Sequence, residues 1–147
     1  MEKERSGGGL SRDQSDRFAE DGFVVVDGLF SQDEVEALRQ ACVEPEDRQW
    51  EGADHLIHAL ELTTRHSAFL DLARDERIVS HLRPLLGPDI QLQHSKLAAQ
   101  PVQKEKGGFR WHQDFAFFPH TNTDLAAVMV MLDDATEDNG CMHRSEE

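Results

Sequence analysis

Cysteine is scarce in this chain. Cys42 and Cys141, far apart in sequence, are the only two, so they build no disulfide framework and a reducing cytoplasm is the simplest home. Positive charge is also short. Fifteen Lys and Arg stand against 29 Asp and Glu, a formal net charge of −14 at pH 7. Surfaces that hold nucleic acid or anionic lipid are basic, so neither partner is expected. A small basic pocket around an anionic ligand stays compatible with that balance. Long apolar runs are missing too. The longest, Leu125 to Leu132, has eight residues, against about 20 for a membrane-spanning helix. The opening, Met1 to Gly9, is charged and then Gly-rich; it has no apolar stretch and is not a signal peptide. Residues 1–10 are expected to form a disordered leader. Internal repeats are absent. What remains is 38% hydrophobic residues with 8 Phe and 2 Trp, enough for one modest core, so residues 11–147 read as a single domain or part of one.

The N-terminal half carries helix signals. Ser11-Arg12-Asp13-Gln14 has the form of a capping box and predicts a short helix that packs Phe18 and ends near Asp21-Gly22. Phe23-Val24-Val25-Val26 reads as a buried strand, broken by Gly28. Ser31-Gln32-Asp33-Glu34 is a second capping box, and Val35, Leu38 and Cys42 at helical spacing predict an amphipathic helix over residues 32–43. Residues 44–54 read as a polar loop whose Trp50 either packs on the domain or covers a pocket. A short strand is expected over residues 55–62 and a helix over 67–74. A second helix is expected over 76–86, capped by Asp75, with Pro84 forcing a kink or a late break.

From Asp89 the pattern turns to strands. Ile90 to Ala98 alternates, placing His94 and Lys96 on one face and Gln93 and Ser95 on the other. Residues 101–108 read as a loop and 119–124 as a polar turn. Leu125 to Leu132 is expected to be a strand buried on both sides. Asn139-Gly140 signals a hairpin, with Cys141-Met142 beginning the returning strand. Helices first and strands after predict an α+β chain.

The densest chemistry lies in Phe109-Arg110-Trp111-His112-Gln113-Asp114-Phe115. On a β-strand, His112 and Asp114 would share a face and Gln113 would point away. An imidazole and a carboxylate so placed can hold two adjacent positions of a divalent cation. With a second His they would complete the 2-His-1-carboxylate face of non-haem iron oxygenases. Spacing alone is weak support. With 8 His and 29 acidic residues in 147, about one or two His-x-acid pairs arise by chance, and this is the only one. An ordinary surface His and Asp is the competing reading.

The surroundings decide between them. Asp21-Gly22-Phe23-Val24-Val25-Val26-Asp27-Gly28, Leu85-Leu86-Gly87-Pro88-Asp89, His94-Ser95-Lys96-Leu97, Trp111-His112-Gln113-Asp114-Phe115, and Leu132 through Cys141 stand in an order that resembles the phytanoyl-CoA dioxygenase family of Fe(II)/2-oxoglutarate oxygenases. The resemblance implies N-terminal helices packed on a double-stranded β-helix (jelly-roll) core. It implies His112 and Asp114 as two of three Fe(II) ligands, and Lys96 as a contact for the cosubstrate 2-oxoglutarate. Gln100 stands where some members carry Lys. Val130 would sit on a strand lining the pocket, or simply in the core. The implied activity is hydroxylation of a small organic substrate. Relatives that halogenate replace the carboxylate that Asp114 retains.

The sequence leaves the family pattern after Met142. The Pro-Gly-Ser-His segment, the distal iron-binding His and the Arg that pairs with 2-oxoglutarate have no counterpart, and His143 and His120 are the only His after Asp114. The β-helix is therefore expected to be incomplete. Two expectations follow. One is a truncated or frameshifted hydroxylase chain, weak or inactive alone. The other is a non-enzymatic remnant that acts through partner binding. Unpaired strand edges would favour self-association. A zinc module built from Cys141, His143, His112 and Asp114 is a further arrangement, without the usual ligand spacing.

Overall fold

A computed structural model describes residues 8–43, 57–99 and 111–143. Its ordered elements are helices α1 (Arg12–Asp21), α2 (Gln32–Val43), α3 (Leu62–Arg65), α4 (Ser67–Ala73) and α5 (Glu76–Leu86), and strands β1 (Ile57–Leu60) and β2 (Lys96–Ala99). A 3-10 turn covers Asp114–Ala116. The architecture is α+β, with one two-stranded antiparallel sheet among the described residues.

Both capping boxes form. Ser11 accepts from the Gln14 amide at 3.2 Å while the Gln14 side chain takes the Ser11 amide at 2.9 Å. Gly22 closes α1 in the left-handed region, φ 76°, donating to the Phe18 carbonyl. At α2, Ser31 and Glu34 exchange the same pair of bonds, 3.3 and 2.8 Å. Asp75 caps α5 through the Arg77 amide at 2.8 Å. His66 caps α4, its Nδ1 accepting from the Ala68 amide at 3.1 Å. Helix α5 continues past Pro84 to Leu86. Pro84 lies in the last turn, where it removes one hydrogen bond, to the Ser80 carbonyl. Gly9, placed in the expected leader, lies at that same carbonyl: a Cβ there would sit 2.9 Å from the Ser80 oxygen. Residues 1–7, 44–56, 100–110 and 144–147, with the leader start, Trp50, Gln100 and the 101–108 loop, fall outside the described residues.

The core is small and lies between the helices and β1. Leu38, Ala59, Phe69 and Ile78 are its buried apolar members, and no described side chain is completely enclosed. Helix α4, which carries Phe69, packs against α2, α3 and α5. Buried His81 donates its Nδ1 proton to the Arg77 carbonyl one turn earlier, 2.6 Å away. The carbonyl can only accept, so the tautomer is fixed. Arg77 joins three parts of the chain. It pairs with Glu34 at 2.8 Å and Asp75 at 2.6 Å, bonds the Leu29 carbonyl at 3.2 Å, and lies 4.4 Å over the Phe30 ring.

The strand expectations are corrected in four places. Phe23–Val26 is not a strand: Phe23 and Val25 are exposed and Val24 and Val26 half-buried. Of Ile90–Ala98 only the end joins a strand, because β1 is four residues long and pairs Leu60 with Lys96 and Ile57 with Ala99. Ser95, just before it, instead ties the start of α3. It accepts the Glu61 amide on its carbonyl at 2.8 Å and the Thr63 amide on its hydroxyl at 3.1 Å. Leu125–Leu132 is irregular, with Leu125, Val128, Met129 and Met131 exposed. Asn139-Gly140 makes its turn, Gly140 at φ 92°, but no strand returns through Cys141-Met142. The reason is common to all four. A strand exists only as part of a ladder, and no neighbouring strand lies alongside these sequences among the described residues.

Candidate metal centre

His112 and Asp114 are not on a strand. Gln113 is extended (φ −114°, ψ 131°), and the chain then closes into the 3-10 turn. The Asp114 carbonyl accepts the amides of Phe117 at 2.9 Å and Phe118 at 3.1 Å, and Ala116 donates to Gln113 at 3.1 Å. With no ladder available, the backbone satisfies itself locally in this way. The expected pairing of the two side chains survives the change. His112 Nε2 lies 3.4 Å from Asp114 Oδ1. Two adjacent ligands at bonds of ~2.1 Å and an angle of ~90° have donor atoms ~3 Å apart. A shift of a few tenths of an ångström would therefore let both atoms bind one cation.

The donor types also suit Fe(II): one imidazole nitrogen and one carboxylate oxygen. Among the described residues no third His, Cys, Asp or Glu joins them. Cys141 and His143 approach each other at 3.8 Å but do not gather with His112 and Asp114, so the four-ligand zinc arrangement is not formed. His120 bonds locally, its Nδ1 donating to the Phe118 carbonyl at 2.5 Å. The residues present thus fit half of a coordination shell.

The pair is open to solvent, with side-chain exposures of 37% for His112 and 57% for Asp114. Its walls are aromatic. Phe117 meets the His112 ring edge-on, centroids 5.6 Å apart at 83°. His94 stacks on Phe118 at 4.4 Å and 30°, docking the turn on the segment before β2. Neither Phe117 nor the His94–Phe118 stack was legible from spacing, since the contacts form across a turn and between distant segments. Lys96 is exposed on β2, opposite Leu60. Val130 is half-buried in the irregular 125–132 segment. No helix among the described residues is long and apolar enough to cross a membrane.

Comparisons with known proteins bear on this site. The sequence profile described as Phytanoyl-CoA dioxygenase (PhyH) matches residues 18–144. A protein of Stutzerimonas stutzeri named as a probable alpha-ketoglutarate-dependent hypophosphite dioxygenase is 44% identical over 71 residues, 48% of this chain and 24% of that protein. An ectoine dioxygenase of Bordetella bronchiseptica is 30% identical over 146 residues, 89% of this chain and 47% of its own length. One from Streptomyces anulatus is 31% identical over 138 residues, 84% and 46% respectively. The chain therefore spans about half the length of these ectoine dioxygenases, and less of the first relative. No solved structure matches it.

Proposed function

The chain belongs to the phytanoyl-CoA dioxygenase family, and from that premise we propose that it is the N-terminal part of an Fe(II)- and 2-oxoglutarate-dependent hydroxylase of a small organic molecule. The observation that carries the reading is the 3.4 Å approach of His112 Nε2 to Asp114 Oδ1. These two atoms would hold the iron, and the third ligand, a second imidazole, would come from outside residues 1–147. When bound, the iron and its cosubstrate would supply insertion of one oxygen atom of O2 into a substrate C–H bond, the other atom entering the succinate formed as 2-oxoglutarate loses CO2.

The chain's own residues prepare that site. The Asp114 carboxylate supplies negative charge for the cation and fills the position that a halide would need. The edge of Phe117 limits rotation of the His112 ring. The Lys96 ammonium is a candidate partner for a cosubstrate carboxylate. Exposure of Leu125, Val128, Met129 and Met131 supports the finer fold reading, a double-stranded β-helix lacking neighbouring strands. The same exposure favours the second reading, a non-enzymatic remnant that binds a partner through this face. A reducing cytoplasmic setting suits both the thiols and Fe(II).

Calorimetric titration with Fe(II) under anaerobic conditions tests the assignment. His112→Ala and Asp114→Ala should each weaken binding at least about tenfold, since each removes a direct ligand where even a supporting partner is worth ~10–100-fold. Equal binding by wild type and both variants would contradict it.

A further inference from the structure

Helix α1 stands apart from the other helices. The buried side chains Leu38, Phe69 and Ile78 come from α2, α4 and α5, whereas α1 buries none and its Phe18 is half-buried. We propose that α1 is a detachable flap, fastened to the last turns of α5 by Gly9. The flap stands whether or not His112 and Asp114 hold a metal.

Gly9 comes just before the Ser11 cap of α1, so whatever holds Gly9 holds the start of that helix. Its fit on α5 is close. The Gly9 backbone lies in the left-handed region, φ 50°, and a Cβ there would sit 2.9 Å from the Ser80 carbonyl oxygen and 3.9 Å from Pro84 Cγ. Only a hydrogen fits in that space. Gly8 differs, since a Cβ on it would meet nothing within 4 Å. The receiving surface is the one place where α5 is interrupted. Pro84 has no N–H, so the Ser80 carbonyl lacks its usual helical donor. A glycine C–H against that oxygen is at best a weak contact. Among the described residues no backbone hydrogen bond joins residues 8–10 to α5. The fastening therefore rests on fit, and any side chain at position 9 spoils the fit. Once released, α1 has only 10 residues, and so short a helix is marginal in water by itself. Release of the flap should also melt it.

Amide hydrogen exchange on the full chain, followed residue by residue by NMR, provides the test, because exchange tracks the population of the locally open state. In the wild type, the α1 amides of residues 15–22 should exchange faster than the α5 amides of residues 78–82. Gly9→Ala should speed exchange in α1 about tenfold, since the left-handed region alone costs an L-residue about that factor, and should leave residues 78–82 unchanged. Gly9→Asn should open the flap as well: its side chain tolerates positive φ, but its Cβ meets the same oxygen. Gly8→Ala should match the wild type. Wild-type α1 amides as slow as those of α5 would overturn the flap. Wild-type exchange in both Gly9 variants, or Gly8→Ala as fast as Gly9→Ala, would overturn the fastening. Protection lost equally from α1 and α5 in Gly9→Ala would show one cooperative unit and overturn the proposal as a whole.

Discussion

Between Ser31 and Leu86 the chain fixes the starts of α2, α4 and α5 with side chains: Ser31 with Glu34, His66, and Asp75. It then ties those helices together through Arg77 and a core of Leu38, Phe69 and Ile78. Between Trp111 and His143 the backbone closes on itself in turns, and Trp111, Phe117, Met129 and Met142 face solvent. The first region closes most of its helix starts locally and buries an apolar stripe, although Arg39 Nε and Ser80 Oγ are left buried without a partner. The second is written as strands, and strands are satisfied only by neighbours. Helical sequence can be read one segment at a time. Strand sequence needs its partner present before it means anything.

Truncating each region tests that contrast, and the largest effect should fall in the helices. Phe69→Ala removes a buried ring at the meeting point of α2, α3, α4 and α5 and should cost about 3–5 kcal/mol. Met129→Ser, in the exposed segment, should change stability by no more than about 0.5 kcal/mol. Urea unfolding followed by helical circular dichroism measures both. Comparable losses would mean that residues 125–132 are packed in solution.

Arg77→Ala comes next. It releases Glu34, Asp75 and the Leu29 carbonyl, and should cost about 1–2 kcal/mol after allowance for the partial exposure of the cluster. The cluster also predicts an acid response confined to the helical region. The Arg77 hydrogen bond, with those from Ser31, holds the Glu34 carboxyl down at about 2, against an ordinary value of 4.5. Asp75 is lowered too, again chiefly by Arg77. Both groups are depressed on folding, so their contribution is present above the ordinary carboxylate range and is lost as pH falls from about 4.5 toward about 2. Stability measured across that window should fall in the wild type and fall less in Arg77→Ala. Parallel pH profiles would contradict the assignment.

The smallest effect belongs to a single cap. Ser11→Ala should cost ~0.5–1 kcal/mol, detected as fraying of α1 alone. Loss of α2 in the same variant would show that the helical region is one cooperative unit rather than separately capped helices.

How much was legible follows the same division. Helices α1, α2, α4 and α5 and three of their caps could be read from Ser11, Ser31 and Asp75 with their apolar spacing, because caps and stripes are local. Short α3 was hidden in what reads as the end of a strand, since Glu61 adopts the left-handed region (φ 57°) and Ser95 ties the turn from a distance. The strands at 23–26 and 125–132 were read from β-branched and apolar residues, and among the described residues no strand pairs with them. At the site, the residue types and spacing of His112 and Asp114 were visible, and their proximity holds although the backbone is a turn. Phe117 beside His112 and His94 on Phe118 were not visible, because ring packing across a turn leaves no period in sequence.

The most direct test of the central claim is the visible charge-transfer absorption of an Fe(II)–2-oxoglutarate chelate, recorded anaerobically on the full chain. The expected result is a band that appears with both components present and disappears in His112→Ala and in Asp114→Ala. A band of equal strength in both variants, or no band from a folded chain that binds Fe(II), would contradict the placement of the iron and its cosubstrate on this turn.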